Sequence, residues 1–395
     1  MKTDPFSSRP DNMPRRAFAR AVAAGVLGAA VGRPASAAAP AATRPQRKNM
    51  LHHVGGDYHC TMGEHWTSKQ NFEYHQRFGV RHLTANTSRI DGGSGGGSGK
   101  KSAASGSGDW DFDTMKRWRD LCDRGGMIWE AIRMEPNYIY LRPGDERERK
   151  LASIAGNIEK AGKVGVKIIT MHWTVIPIRR NGRTPGRGGS SYHSFKLEDD
   201  WRSLPVGPRG VVSEADYWER IAHFLKTVIP VCAQHDVRMA VHPYDPPGLP
   251  RGYQGTENWD GAPATVLESL QRYEAIVDSP YNGIQLCLGT CMEGLKNPRA
   301  ELLPVVRYFG SKGKIHQVHM RNIRGGLHHF QEVYIDEGEA NFIEVVRALR
   351  DTGYAGSYCP DHMPTHPDDP KGYQGFAHAF GYIRGLIDAA NAEVA

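Results

Sequence analysis

The 395-residue sequence predicts an α/β chain closed into a (β/α)8 barrel. Three observations carry that reading. Eight short apolar runs of strand length alternate with longer amphipathic stretches over about 340 residues. Helix-starting Asp, Ser or Asn and helix-ending glycines, such as Gly125, Gly165 and Gly353, punctuate the alternation. No G-x-G-x-x-G fingerprint follows the first strand, which sets aside an open doubly wound sheet.

Taken in chain order, the predicted strands are 51–57, 80–85, 127–134, 166–171, 237–241, 283–288, 315–318 and 356–359. Helical patterns fall between them at 113–124, 146–163, 214–234, 263–277, 297–309, 340–350 and 373–391. Residues 92–108 hold eight Gly and five Ser in 17 positions and read as a flexible connector. It interrupts one domain, residues 51–395, and does not separate two.

The formal charge of +7 and a pI near 9.0 would ordinarily invite a nucleic-acid or anionic-membrane partner. Residues 1–50, however, hold nine basic and two acidic residues, so the whole excess sits there. Residues 51–395 carry 41 of each sign. The basic segment opens with Arg15-Arg16-Ala17-Phe18-Ala19-Arg20 and continues into an Ala/Gly-rich apolar run over 21–31. It closes on Ala35-Ser36-Ala37, in the small-residue form that signal peptidases accept. Residues 1–37 therefore read as a signal peptide, too short to span a bilayer, and 38–50 as a linker. Its paired arginines resemble a twin-arginine export signal, with Pro14 where Ser or Thr is usual. A periplasmic or exported protein without a membrane span is the expectation. Folded export lets a metal site be filled before crossing. It also lets any of Cys60, Cys122, Cys232, Cys287, Cys291 and Cys359 stay a free thiol; their irregular spacing, without a C-x-x-C pair, excludes a zinc knuckle.

In a (β/α)8 barrel the chemistry sits where the strands end. The fifth strand runs into His242, the sixth into Cys287, the seventh into His319 and the eighth into Asp361 with His362 beside it. Four consecutive strands thus place His, Cys, His and a carboxylate on one rim. This borderline-soft set suits Mn, Fe, Co or Zn and serves Mg or Ca poorly. A lone strand-end His or Cys is usually core or solvated loop, so the weight rests on the set. The Pro-rich exit His242-Pro243-Tyr244-Asp245-Pro246-Pro247 stiffens the backbone at a ligand and runs on to Arg251. Arg321 is placed to pair with a substrate carboxylate, and His172 and Arg251 are further substrate-holding candidates. The 178–194 loop carries Arg179, Arg180, Arg183 and Arg187 and reads as an anion-catching lid or a solvated loop. Trp173, Tyr253 and Trp259 read either as sugar-stacking surfaces or as packing.

These residues resemble the mannonate dehydratases, a xylose-isomerase-like group of TIM barrels. The resemblance rests on H-P-Y-D-P-P at His242, L-C-x-G over 286–289, H-M-R over 319–321, P-D-H over 360–362 and Gly372-Tyr373. It spans roughly residues 125–390. Two positions depart from the family pattern: Tyr244 stands where it has Asp, and Cys359 where it has Arg. The resemblance implies dehydration of D-mannonate to 2-keto-3-deoxy-D-gluconate with Mn2+ or Fe2+. It implies His242, Cys287, His319 and Asp361 as metal ligands, and His362 and Tyr373 in acid–base roles. It also implies a tendency to form a homodimer. Within that scheme His362 is the leading base, its pKa expected to be lowered by the cation. Tyr373 is the partner acid, and Asp245 a second acid–base candidate. Two other readings stand beside it: a metal-dependent sugar isomerase or epimerase on the same barrel, and an exported sugar-binding protein without catalysis.

Overall fold

The computed structural model describes residues 53–86, 108–134, 137–257 and 265–394. The signal segment 1–37, the linker 38–50, Trp259 and all of the Gly/Ser connector except Gly108 lie outside them.

Among the described residues, eight parallel strands close a barrel, and all eight fall on the predicted runs. They are β1 (His53–Gly56), β2 (His82–Asn86), β3 (Ile128–Arg133), β4 (Ile168–His172), β7 (Arg238–His242), β8 (Asn282–Cys287), β9 (Ile315–Met320) and β12 (Ser357–Pro360). Their order around the wall is β1-β12-β9-β8-β7-β4-β3-β2, and the barrel closes where β1 pairs with β12 through His53 and Ser357. Parallel strands buried on both faces need near-continuous apolar sequence, which is why these runs read so plainly. The wall is not wholly regular. One residue, Glu130, is extra in β3 against β2, where Leu83 pairs Trp129 and Thr84 pairs Ala131. Likewise His316 is extra in β9 against β8, between the pairs Ile284–Ile315 and Gln285–Gln317.

The outer helices are α1 (Lys69–Arg77), α2 (Phe112–Arg124), α3 (Asp145–Lys163), α4 (Glu214–Gln234), α5 (Val266–Ile276), α7 (Pro298–Ser311), α8 (Phe342–Asp351) and α9 (Tyr373–Ala392). Their starts carry the expected caps. Ser68, Asp111 and Ser213 accept from backbone N–H groups in the first turn, and Thr265 forms a reciprocal capping box with Glu268. After α2 it is Gly126, at φ 66°, that takes the left-handed turn; Gly125 stays right-handed. No helix among the described residues is long and apolar enough to cross a membrane.

Two features lie outside the alternation. A six-residue helix, α6 (Leu288–Glu293), follows β8 without a break and is buried throughout. Two hairpins, β5 (Gly182–Pro185) with β6 (Ser191–Lys196) and β10 (Ile323–Gly326) with β11 (His329–Glu332), join into one antiparallel sheet ordered β10-β11-β6-β5. The first hairpin grows from the loop after β4 and the second from the loop after β9, so this sheet belongs to the end of the barrel where the strands finish. A bridge between Ser191 and Thr365 ties it to the segment after β12. The loop expected at 178–194 therefore contains most of the β5–β6 hairpin.

Candidate active site

The pairing register brings the predicted rim together. His172 lies opposite His242, and His319 lies opposite both Cys287 and Cys359. One ligand atom each from His242, Cys287 and His319 falls within 4.8 Å of the other two. Asp361 lies against the same group, with Oδ2 3.6 Å from Cys287 Sγ and Oδ1 3.7 Å from His319 Nδ1. All four side chains are buried.

Each is held from behind. His242 Nδ1 sits 2.8 Å from the carbonyl of Pro243, which directs Nε2 to the rim. The exit from His242 to Leu249 is buried throughout, as its proline content suggests. Cys287 caps α6: the Thr290 hydroxyl donates to Sγ at 3.2 Å and the Thr290 backbone N–H at 3.5 Å. Burial alone would raise this thiol, but Arg321 and His242 outweigh it and hold it well below its ordinary value. His319 Nε2 lies 2.7 Å from Gln285 Nε2 and 3.3 Å from Asp57 Oδ2, while the buried Nδ1 has no hydrogen-bond partner.

These residues fit a divalent transition ion. Burial disfavours charge on His319, yet Asp361 and Asp57 raise it to about 10, so the pocket is built to hold positive charge. The orphaned Nδ1, the Cys287 sulfur and the Asp361 carboxylate are the kinds of donor such an ion takes.

Beside this group, His362 Nδ1 is 2.9 Å from Glu332 Oε1 and Nε2 is 3.6 Å from Asp361 Oδ1. Burial lowers His362, but Asp361 and Glu332 outweigh burial and raise it to about 9. These two carboxylates act against the lowering expected from a bound cation. Tyr373, the first residue of α9, donates its hydroxyl to the Thr61 carbonyl at 3.2 Å, and its own carbonyl accepts from the Tyr74 hydroxyl. His172 is pushed down to about 3 by burial, then by Arg133 and His242, so it stands neutral, with Nδ1 accepting from the Thr174 N–H.

Three expectations are corrected. Arg321 is not free for substrate: its buried guanidinium already donates to Asp361, Glu293, Glu332 and Thr290 at 2.6–2.9 Å. Arg251 is exposed and pairs with Glu214 and Glu257, so its charge is committed on the flank of α4. Asp245 is no ready acid. Burial would raise it, but Arg180, which binds both carboxylate oxygens, and Arg321 hold it low. Trp173 and Tyr253 are core residues; Trp173 packs edge-on to Phe224.

Sequence reasoning missed Asp57, His59, Glu293 and Glu332. His59 Nδ1 lies 2.5 Å from Asp57 Oδ1 and 3.3 Å from Asp361 Oδ1, and its ring meets His362 edge-on. Arg180, foreseen only as a lid arginine, is buried and binds Asp245, Glu293 and Glu332. Glu293 takes the odd role in this network. Burial, Asp245 and Glu332 push it to about 8 against the two arginines, so at neutral pH three carboxylates face two guanidinium groups. The other lid arginines are also engaged: Arg179 with Glu198, Arg187 with Asp336, and Arg183 with Thr365 and His193. Of the two departures from the family pattern, Tyr244 packs toward Tyr217, and Cys359 is closed into the wall beside Gly55.

Fold and rim together define a xylose-isomerase-like TIM barrel with a candidate cation site of His, Cys and His beside a carboxylate. Solved structures agree on the fold: a xylose isomerase domain protein from Planctomyces limnophilus matches at TM-score 0.52 and 15% identity, covering 87% of this chain and 98% of that one. The mannonate dehydratase of Streptococcus suis serotype2 matches at TM-score 0.69 and 20% identity, over 86% of this chain and 94% of that one. The family model for D-mannonate dehydratase (UxuA) matches residues 209–395, the part that carries all four rim ligands. The mannonate dehydratase of Thermotoga maritima is 37% identical over 326 residues, 71% of this chain and 86% of that protein. That of Thermotoga neapolitana is 38% identical over 189 residues, 45% of this chain; the match spans about half of that relative, 49%. The chain belongs to the mannonate dehydratase family.

Proposed function

We propose that the protein is a metal-dependent hydro-lyase that converts D-mannonate to 2-keto-3-deoxy-D-gluconate and water. The observation that carries this reading is the convergence of His242, Cys287 and His319 on one point, with Asp361 and His362 against it. In this proposal those four rim residues hold Mn2+ or Fe2+. When bound, the cation supplies Lewis-acid stabilisation of the negative charge that develops beside the substrate carboxylate.

The chain's own residues supply the proton transfers. His362 is steered by Glu332 through Nδ1, which leaves Nε2 on the rim to take the C2 proton. Tyr373 gives its proton to the departing C3 hydroxyl, exchanging its bond to Thr61 for one to substrate. The saturated Arg180–Arg321 network does not bind substrate; it fixes Asp361 and Glu332, and through them His362. Incubation of the metal-loaded protein with aldonates, with colour development for 2-keto-3-deoxy acids, tests the reading. D-mannonate is expected to give product, His362→Asn and Tyr373→Phe each to lower kcat by about 100- to 10,000-fold. An isomerised or epimerised acid in place of the keto-deoxy product would favour the rival activity, and tight binding without turnover a non-catalytic role.

We further propose that residues 1–37 export the folded enzyme, on the strength of the paired arginines and the charge confined to that segment. Fractionation of cells carrying Arg15→Lys and Arg16→Lys is expected to move the protein from periplasm to cytoplasm. An unchanged distribution would overturn it.

A further inference from the structure

At the opposite end of the barrel, where strands begin, three side chains meet that the dehydration chemistry does not use. His53 opens β1, His82 opens β2 and Glu130 is the extra residue of the bulge in β3. His53 Nε2 lies 3.2 Å from Glu130 Oε2, and His82 Nδ1 lies 3.1 Å from the same oxygen. The two imidazoles stack at 3.6 Å between centroids with an interplanar angle of 27°. One ligand atom from each of the three residues falls within 4.8 Å of the others.

We propose that His53, His82 and Glu130 form a second divalent-metal site, of zinc type, at the strand-start mouth of the barrel. Two imidazole nitrogens and one carboxylate are the donor set of open zinc sites, and donors bonded at about 2.0–2.2 Å to one ion stand roughly 3.3–3.5 Å apart. The observed spacings are already close to that. A bulge turns a side chain out of the regular alternation, and here it turns the carboxylate toward the two histidines. The side chains of His53 and His82 are 25% and 24% exposed and that of Glu130 13%, so the group is within reach of an ion from solution. His82 and Glu130 also line a cavity of about 620 Å³ at this mouth, shared with Lys167, Arg238 and His316.

This inference is independent of the reading of the upper rim. The test uses tag-free full-length protein, stripped by chelator and titrated with Zn2+ by calorimetry, and with Co2+ by absorption. Two equivalents are expected to bind the native chain. Glu130→Gln and His82→Gln are each expected to take one, with the thiolate-to-cobalt band of Cys287 intact. Cys287→Ser is expected to keep one equivalent and lose that band. A single equivalent in the native chain that carries the thiolate band, or two in Glu130→Gln, would overturn the lower site. Should the Glu130 and His82 variants fail to fold, Cys287→Ser decides: no Co2+ bound away from the thiolate overturns the proposal. Loss of the band's equivalent in the native chain, with the other retained, would count against the upper rim alone.

Discussion

Asp57 and Glu332 do the same work on two different histidines. Glu332 binds one ring nitrogen of His362, and Asp57 lies 3.3 Å from one of His319, beside Gln285, so each carboxylate biases where the other nitrogen points. Neither residue needs to touch substrate to matter. Partners of this kind typically contribute 10- to 100-fold to metal affinity. Asp57→Asn keeps the shape but removes the charge that helps hold His319 up at about 10. It is expected to weaken metal binding by about 10- to 100-fold, read by competition with a chromophoric chelator. Activity at saturating metal should fall far less. Unchanged affinity would show that His319 does not depend on Asp57.

At the scale of elements, the legible parts were those with long-range burial written into short-range pattern. Eight wall strands are buried on both faces, so their apolar runs stand out, and the four rim ligands follow from where those runs stop. Asp57 ends the first run and was open to the same rule. Glu293 and Glu332 were not. Glu293 sits in a six-residue helix that is buried on all sides and so has no amphipathic period to detect. Glu332 ends β11, a four-residue strand whose partner β6 lies more than a hundred residues earlier in the chain. Their hairpins are rich in Gly, Arg and Ser and turn through positive-φ positions at Gly188, Gly189 and His328, which is loop chemistry read locally. The misreading of Arg321 has the same origin. A charged residue two after a rim histidine looks available until the acids that surround it, one from α6 and one from β11, are placed in space.

For the whole molecule, pH enters through histidines remote from the rim. Burial pushes His75 down to about 4 and His316 down to about 3. Both are neutral in the folded chain and take up a proton at about 6.5 when unfolded. Their stabilisation is therefore complete above pH 6.5 and is lost as pH falls toward the folded values. At pH 5 each is expected to cost about 2 kcal/mol relative to pH 7.5. Urea unfolding of the chelator-treated protein at the two pH values checks this. His75→Gln is expected to remove about 2 kcal/mol of the acid sensitivity, and an unaltered difference would show that His75 is not a source.

The six cysteines, all free and all buried, divide into unequal kinds. Burial pushes Cys60, Cys122, Cys232, Cys291 and Cys359 upward, so they behave as small apolar packing groups. Cys287 alone is pushed the other way, toward the thiolate, by Arg321 and His242. The one sulfur tuned toward reactivity is therefore also one of the four rim candidates, and it is shut away from solvent. Burial and ligation protect the same atom, so loss of the ion is what would expose its chemistry.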